Sequence, residues 1–282
     1  MFRTVTIVGV GLIGGSFGLA LKDRGLAGRI IGVSRTKGSL EKALDLGLID
    51  EALPLEEAVA GSDLVYVAIP VDSTVPVMRQ VLDMITGEQI VADAGSTKKA
   101  LCESLAAHPM RRRFVATHPM WGTEYSGPEA AVHEAFSGRT CVICEKEKSD
   151  TDAVQVIEDV YTRLGMHLVD MDADSHDMHA AYISHISHIT SFALANTVLE
   201  KEKEEEAIFD LAGGGFESTV RLAKSNPSMW LPIFKQNREN VLDVLNEHIA
   251  QLRKFKSCLE KENYEYLKDL MENANKIRRI LK

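Results

Sequence analysis

The chain has only four cysteines, Cys102, Cys141, Cys144 and Cys258, in 282 residues. That is too few for the disulfide framework of a small secreted protein. No run of about 18 uninterrupted apolar residues occurs, so a membrane-spanning helix is not expected. Basic residues are outnumbered: 32 Lys and Arg face 41 Asp and Glu, a net charge of −9. Nucleic acid and anionic membranes both need a basic face, so neither is an expected partner. An acidic small molecule stays compatible, because one or two local arginines can bind it whatever the global charge. Only Arg3 is basic ahead of the first apolar run, Val5–Val8, and no signal segment is recognisable. A cytoplasmic protein is the expectation.

What is present is the balance of an ordinary globular protein, 45% apolar and 26% charged residues. Over the first 170 residues, short β-rich runs alternate with helical patterns. The strands are expected at Thr4–Val8, Ile30–Ser34, Leu64–Ile69, Gln89–Ala92, Phe114–Thr117, Thr140–Cys144 and His167–Leu168. Amphipathic stretches such as Gly15–Arg24, Leu40–Leu46, Val75–Ile85, Lys99–Ala107 and Asp152–Leu164 separate most of them. That alternation indicates a doubly wound parallel sheet with helices on both faces. Beyond residue 170 the pattern is helical: His176–Leu199, Leu211–Lys224, Met229–Cys258 and Glu262–Leu281, with a solvated charge run at Glu200–Glu206. An α/β domain over 1–170 and an all-helical domain over 171–282 follow. Cys141 and Cys144 form a C-x-x-C, but within a strand positions i and i+3 face opposite ways, so two core thiols are expected and no metal.

The run VTIVGVGLIGGSFGLAL holds Gly9, Gly11 and Gly14 in the spacing G-x-G-x-x-G. It follows the first strand and opens a helix, the context in which the pattern binds a dinucleotide. Gly9 permits the turn, Gly11 lets backbone approach a pyrophosphate, and Gly14 lets helix and strand pack closely. The helix start then offers unpaired N–H groups to phosphate. A carboxylate that would hold the adenosine 2′-hydroxyl is expected about 20 residues on. Ser34, Arg35, Thr36 and Lys37 stand there instead, and a hydroxyl with two cations favours NADP over NAD.

Open parallel sheets place ligands at the carboxyl ends of their strands. Three loops fall at such ends: Ile69-Pro70-Val71-Asp72, Asp93-Ala94-Gly95-Ser96-Thr97-Lys98, and His118-Pro119 in FVATHPMWGTEYSG. Proline restrains the residue before it, so His118 is held stiffly at a strand end.

Five segments taken in order, GVGLIGGS, DAGSTK, THPMWGTEYSG, SHISH and GGGFESTVRLAKSNP, resemble the prephenate/arogenate dehydrogenases of tyrosine biosynthesis. The resemblance implies a dinucleotide domain, a helical domain that dimerises, and NAD(P)-dependent oxidative decarboxylation of a cyclohexadienol. It implies His118 as acceptor of the hydroxyl proton, with Ser96 bonding the same hydroxyl and helping to hold His118. Arg221 is similar to a substrate-binding arginine, and GlyGlyGly at 213–215 would let backbone approach closely before it. His185, His188, Glu124 and Thr123 line the substrate side. His188 and Glu124 accompany prephenate use more than arogenate use. Leu12, Ile13, Pro70 and Ser96 join Gly9, Gly11, Gly14, Ser34 and Arg35 on the cofactor side. Ser218 stands where relatives often have a carboxylate, which weakens any inference of a gating ion pair. His176 matches a family position but receives no chemistry, and Trp230 reads as interdomain packing. No appended ligand-sensing module is expected after the last helix, so any action of tyrosine is expected in or near the active site.

A zinc site at His185 and His188 lacks the H-E-x-x-H spacing and a third ligand. A β-hydroxyacid dehydrogenase would need a lysine that Gly215–Lys224 does not place. A regulator that binds NADP(H) without turnover would leave His118, Ser96 and Arg221 without a purpose. The substrate is thus expected to be a small carboxylate, the assembly a homodimer.

Overall fold

The computed structural model describes residues 1–205 and 207–280. Glu206, in the acidic run, and Leu281, at the end of the last expected helix, lie outside the described residues. The chain forms two compact units, residues 1–237 and residues 238–282.

The first unit is built on an eight-stranded sheet of order β3-β2-β1-β4-β5-β6-β7-β8. Its elements are β1 (Phe2–Val8), α1 (Leu12–Asp23), β2 (Ala27–Val33), α2 (Lys37–Asp45), β3 (Glu51–Ala52) and α3 (Leu55–Ala60). They continue through β4 (Leu64–Val67), α4 (Val71–Met84), β5 (Ile90–Asp93), α5 (Lys99–Leu105) and β6 (Phe114–Pro119). β7 (Thr140–Cys144), α6 (Thr151–Arg163) and β8 (His167–Met171) complete the sheet. The strands alternate in the way a sheet buried on both faces requires. Leu64 and Tyr66 pack with Phe17 of α1 and Ile157 of α6 on one face. Val65 and Val67 pack with Met78 of α4 and Leu101 of α5 on the other. The two C-x-x-C cysteines divide likewise, Cys141 to the first core and Cys144 to the second, and burial pushes both thiols well up.

Two strands depart from the expected parallel sheet: β7 runs antiparallel to β6, with His118 paired to Val142, and β8 follows the direction of β7. The cause lies between β6 and β7. A parallel return needs a crossover of a dozen or more residues, usually a helix, whereas residues 120–139 hold only a single helical turn at Pro128–Ala130. This loop instead spreads over the carboxyl ends of the strands. Two short elements, β3 and α3, were not expected at all.

Helices follow: α7 (Ala173–Ala180), a π-turn over Ala181–His185, α8 (Ile186–Glu202), α9 (Gly214–Val220) and α10 (Pro227–Gln236). The second unit holds α11 (Arg238–Glu260) and α12 (Tyr264–Ala274), the latter capped by the Asn263 side chain, which accepts from the Tyr266 amide at 3.1 Å. The continuous helix expected over Met229–Cys258 is therefore broken at Asn237, whose backbone leaves the helical region. Its side chain is committed elsewhere, donating to the Asp177 carbonyl at 2.6 Å.

Candidate active site

Strand order reverses beside β1, where α1 and β2 lie to one side and β4 to the other. A crevice opens at such a switch point. Here it is a cavity of about 640 Å³ lined by Gly9 and Gly11 after β1, Ser34, Arg35 and Thr36 after β2, and Ile69 and Pro70 after β4. Gly9 has a φ of +97°, and a side chain there would run into the Ala68 carbonyl. A methyl on Gly14 would collide with the Gly9 carbonyl oxygen, which is why helix and turn can touch. In front of Gly11 there is open space, nothing lying within 4 Å of a would-be Cβ. No side chain caps α1 at Gly11. Room, bare helix N–H groups and a hydroxyl–arginine end fit an anionic dinucleotide. Leu12 and Ile13, at the start of α1, face away from this cavity into a second one.

The second cavity, about 380 Å³, is also lined by Ser96, His118, Trp121, Thr123, His185, His188 and Trp230. Strand pairing, a buried ion pair and a helix irregularity bring these distant residues together. His118 is the penultimate residue of β6 and lies inside the ladder, not beyond it. The backbone just before it is locked. Asp93 accepts from the Thr117 amide at 3.0 Å and from the Gly95 amide at 2.9 Å. Lys98, fully buried, pairs with Asp93 and donates to the Thr117 carbonyl at 2.8 Å. Loop 94–98 and the end of β6 are thereby tied into one rigid piece.

His118 Nδ1 lies 2.8 Å from Nε2 of His176, and His176 Nδ1 lies 2.8 Å from Asp177 Oδ1. The expected tie from Ser96 to His118 is not found among the described residues. Ser96 shares the cavity, but His176 holds the ring. Burial first, then the nearby His176, Lys98 and His185, keeps His118 far below its ordinary value of 6.5. His185 is lowered to about 4 and His188 is lowered too, in both cases chiefly by burial. These imidazoles are neutral near pH 7.

The π-turn matters here. His176 and His185 are nine positions apart, which in an unbroken α-helix, at about 100° per residue, would point them to opposite sides. A π-turn absorbs an extra residue and swings the helix round. His176 can then meet His118 while His185 and His188 line the same cavity. Asn237 secures the turn by bridging the Asp177 carbonyl and His185 Nδ1, at 2.6 and 3.1 Å.

Trp230, expected to be packing, stacks on His188 with ring centroids 3.5 Å apart, and its buried indole N–H meets no acceptor among the described residues. Arg221 stands at the rim, half exposed, 2.8 Å from Glu124. Glu124 lies below its ordinary carboxylate value, first through its own backbone N–H and then through Arg221. At Gly213, Gly214 and Gly215 nothing lies within 4 Å of a would-be side chain, so the backbone there stands open.

Sequence reasoning gave His176 a family position but no chemistry, and missed Asp177 and Asn237. Nothing in the sequence couples His176 to a strand 58 residues away.

A glycine-lined crevice at the switch point, with a pocket of neutral histidines beyond the start of α1, defines a Rossmann-type dehydrogenase. Comparison with known proteins narrows this. Family models described as the nucleotide-binding domain and the dimerization domain of prephenate dehydrogenase match residues 17–170 and 172–273. The chain belongs to the prephenate dehydrogenase family and is an oxidoreductase. It is 31% identical to a prephenate dehydrogenase of Bacillus subtilis, covering 95% of this chain and 73% of that one. It is 28% identical to a cyclohexadienyl dehydrogenase of Zymomonas mobilis, covering 100% and 97%. The crystal structure of a prephenate dehydrogenase from Aquifex aeolicus, in complex with hydroxyphenyl propionate and NAD+, superposes with a TM-score of 0.91 at 30% identity, covering 100% and 99%.

Proposed function

We propose that this chain oxidises and decarboxylates prephenate to 4-hydroxyphenylpyruvate. The observation that carries the reading is the neutral imidazole of His118, held through one nitrogen in a pocket beside the dinucleotide crevice. A bound nicotinamide would supply the hydride acceptor. His118 takes the hydroxyl proton as hydride leaves the same carbon, a task for which a neutral imidazole in hydrogen-bond reach is suited. Ser96 bonds that hydroxyl. Loss of carbon dioxide returns its bonding pair to the ring, the ring becomes aromatic, and the phenolate oxygen takes the proton back from His118 to end as a phenol.

Arg221 grips a substrate carboxylate, exchanging Glu124 for it or sharing it. Thr123, His185 and His188 shape the remaining wall. The crevice takes the dinucleotide along Gly9, Gly11 and Pro70, with Gly14 packed behind the turn, and Leu12 and Ile13 would meet its nicotinamide end in the histidine pocket. Ser34 and Arg35 at its ribose end, with no carboxylate after β2, support NADP over NAD; the Aquifex relative was solved with NAD+.

Residues 1–170 would carry the cofactor and the reacting side of the substrate pocket, and residues 171–282 its remaining wall and the homodimer. The exposed apolar side chains Ile183, Leu211 and Leu231 in the first unit and Leu252 and Leu259 in the second are consistent with a second copy. Four unpaired cysteines suit a reducing cytoplasm. Among the described residues no helix is long and apolar enough to cross a membrane. The test is a spectrophotometric assay of the pure protein with prephenate and arogenate, each with NAD and NADP. Reduction of nucleotide with prephenate is expected; no reduction with either acid would overturn the reading.

A further inference from the structure

The buried pair behind His118 has no part in the chemistry above. Asp177 and His176 are each 2% exposed. Both oxygens of Asp177 are engaged by backbone donors: Oδ1 accepts from the Lys98 amide at 2.7 Å and Oδ2 from the Lys99 amide at 3.1 Å. A carboxylate only accepts, so the His176 nitrogen that faces Oδ1, Nδ1, must be the one that carries hydrogen. In a neutral ring the other nitrogen, Nε2, is then a bare acceptor. It lies 2.8 Å from His118 Nδ1, which must therefore be the donor. The lone pair of His118 is left on Nε2, the one ring nitrogen not spent on His176.

We propose that Asp177 and His176 are positioning residues that fix the tautomer of His118, so that its bare nitrogen faces the substrate hydroxyl. The inference rests on His118 being the proton acceptor. The proton leaves the hydroxyl oxygen for His118 Nε2, while the electron pair of the carbon–hydrogen bond leaves as hydride to the nicotinamide. Nδ1 keeps its hydrogen throughout. Once both nitrogens carry hydrogen, the bond to His176, backed by the Asp177 charge, steadies the cation. The same carboxylate clamps the Lys98 and Lys99 amides, so the base is registered to the loop that carries Ser96.

Three variants and a cycle test this. His176→Phe should lower kcat about 10- to 100-fold, the size of one hydrogen bond to a charged group, with KM and dinucleotide affinity within about twofold. His176→Gln, whose amide oxygen can accept from Nδ1, should recover part of the loss. In a His118→Asn background, His176→Phe should cost nothing further, because it acts only through the base. Equal losses in both backgrounds, or parallel losses of kcat and dinucleotide affinity, would overturn the proposal in favour of a structural role. An inert His118→Asn would instead remove the proton acceptor itself, a separate failure. Should His176→Phe not fold, nitrogen-15 NMR of the native enzyme decides: hydrogen on His118 Nδ1 supports the relay, and hydrogen on Nε2 refutes it.

Discussion

The two cavities are made in opposite ways. The dinucleotide crevice is shaped by absence: Gly9, Gly11 and Gly14 clear space, and α1 offers backbone N–H groups with no capping side chain. The histidine pocket is shaped by side chains from β6, the loop after β5, the π-turn, α8 and α10, locked by buried hydrogen bonds. A backbone-made site tolerates most substitutions except those that add atoms. A side-chain-made site fails when a single partner is removed. Mutations should separate the two.

The largest effect is expected at His118. His118→Asn should cut turnover by roughly 10²–10⁴-fold and leave dinucleotide affinity, measured by fluorescence titration, nearly intact. Parallel loss of both would mean that the residue serves folding. Arg221→Ala should come next, raising the apparent substrate constant by the ~1.5–3 kcal/mol of a charge-assisted contact, with kcat less affected. An unchanged constant would take Arg221 out of the site.

The crevice is probed by adding a methyl group at two glycines. Gly14→Ala drives a Cβ into the Gly9 carbonyl and should cost about 1–3 kcal/mol of stability, read from denaturant unfolding. Gly11→Ala meets nothing within 4 Å, so stability should hold while dinucleotide affinity drops about tenfold. If Gly11→Ala binds normally, the pyrophosphate does not pass over that residue.

The smallest effect distinguishes the pocket by acid. His118, His185 and His188 have folded values below the ordinary 6.5 because burial penalises their cations. On acidification the unfolded chain binds protons first. The stability they contribute is complete above about 6.5 and is lost as pH falls through the folded values, that of His185 being about 4. His185→Gln should flatten the fall of Tm between those limits; an unaltered slope would show that His185 is not titrating there.

The contrast also governs what the sequence could tell. Gly9, Gly11 and Gly14 lie within six residues of one another, and their spacing carries its own stereochemistry. The parallel strands β1, β2, β4 and β5 were legible for the same reason, each being a short β-branched run between helices. The antiparallel β7 was not, because the Thr140–Cys144 run reads alike in either direction. Ser96 and His118 stood out at strand ends and His185 and His188 through resemblance, and the structure gathers them in one pocket. The parts that went unread depend on helix phase. A single π-turn at Ala181–His185 decides that His176 reaches His118, and no local propensity announces it. Asn237 gave no signal either, since its role is to bond a carbonyl 60 residues away.

The most direct measurement is the pH dependence of kcat/KM for the wild-type enzyme and for His118→Asn. A neutral, half-buried imidazole as proton acceptor predicts one acid limb with an apparent pKa below 6.5 in the wild type, gone from the residual activity of the variant. An acid limb that persists unchanged in His118→Asn would contradict the account.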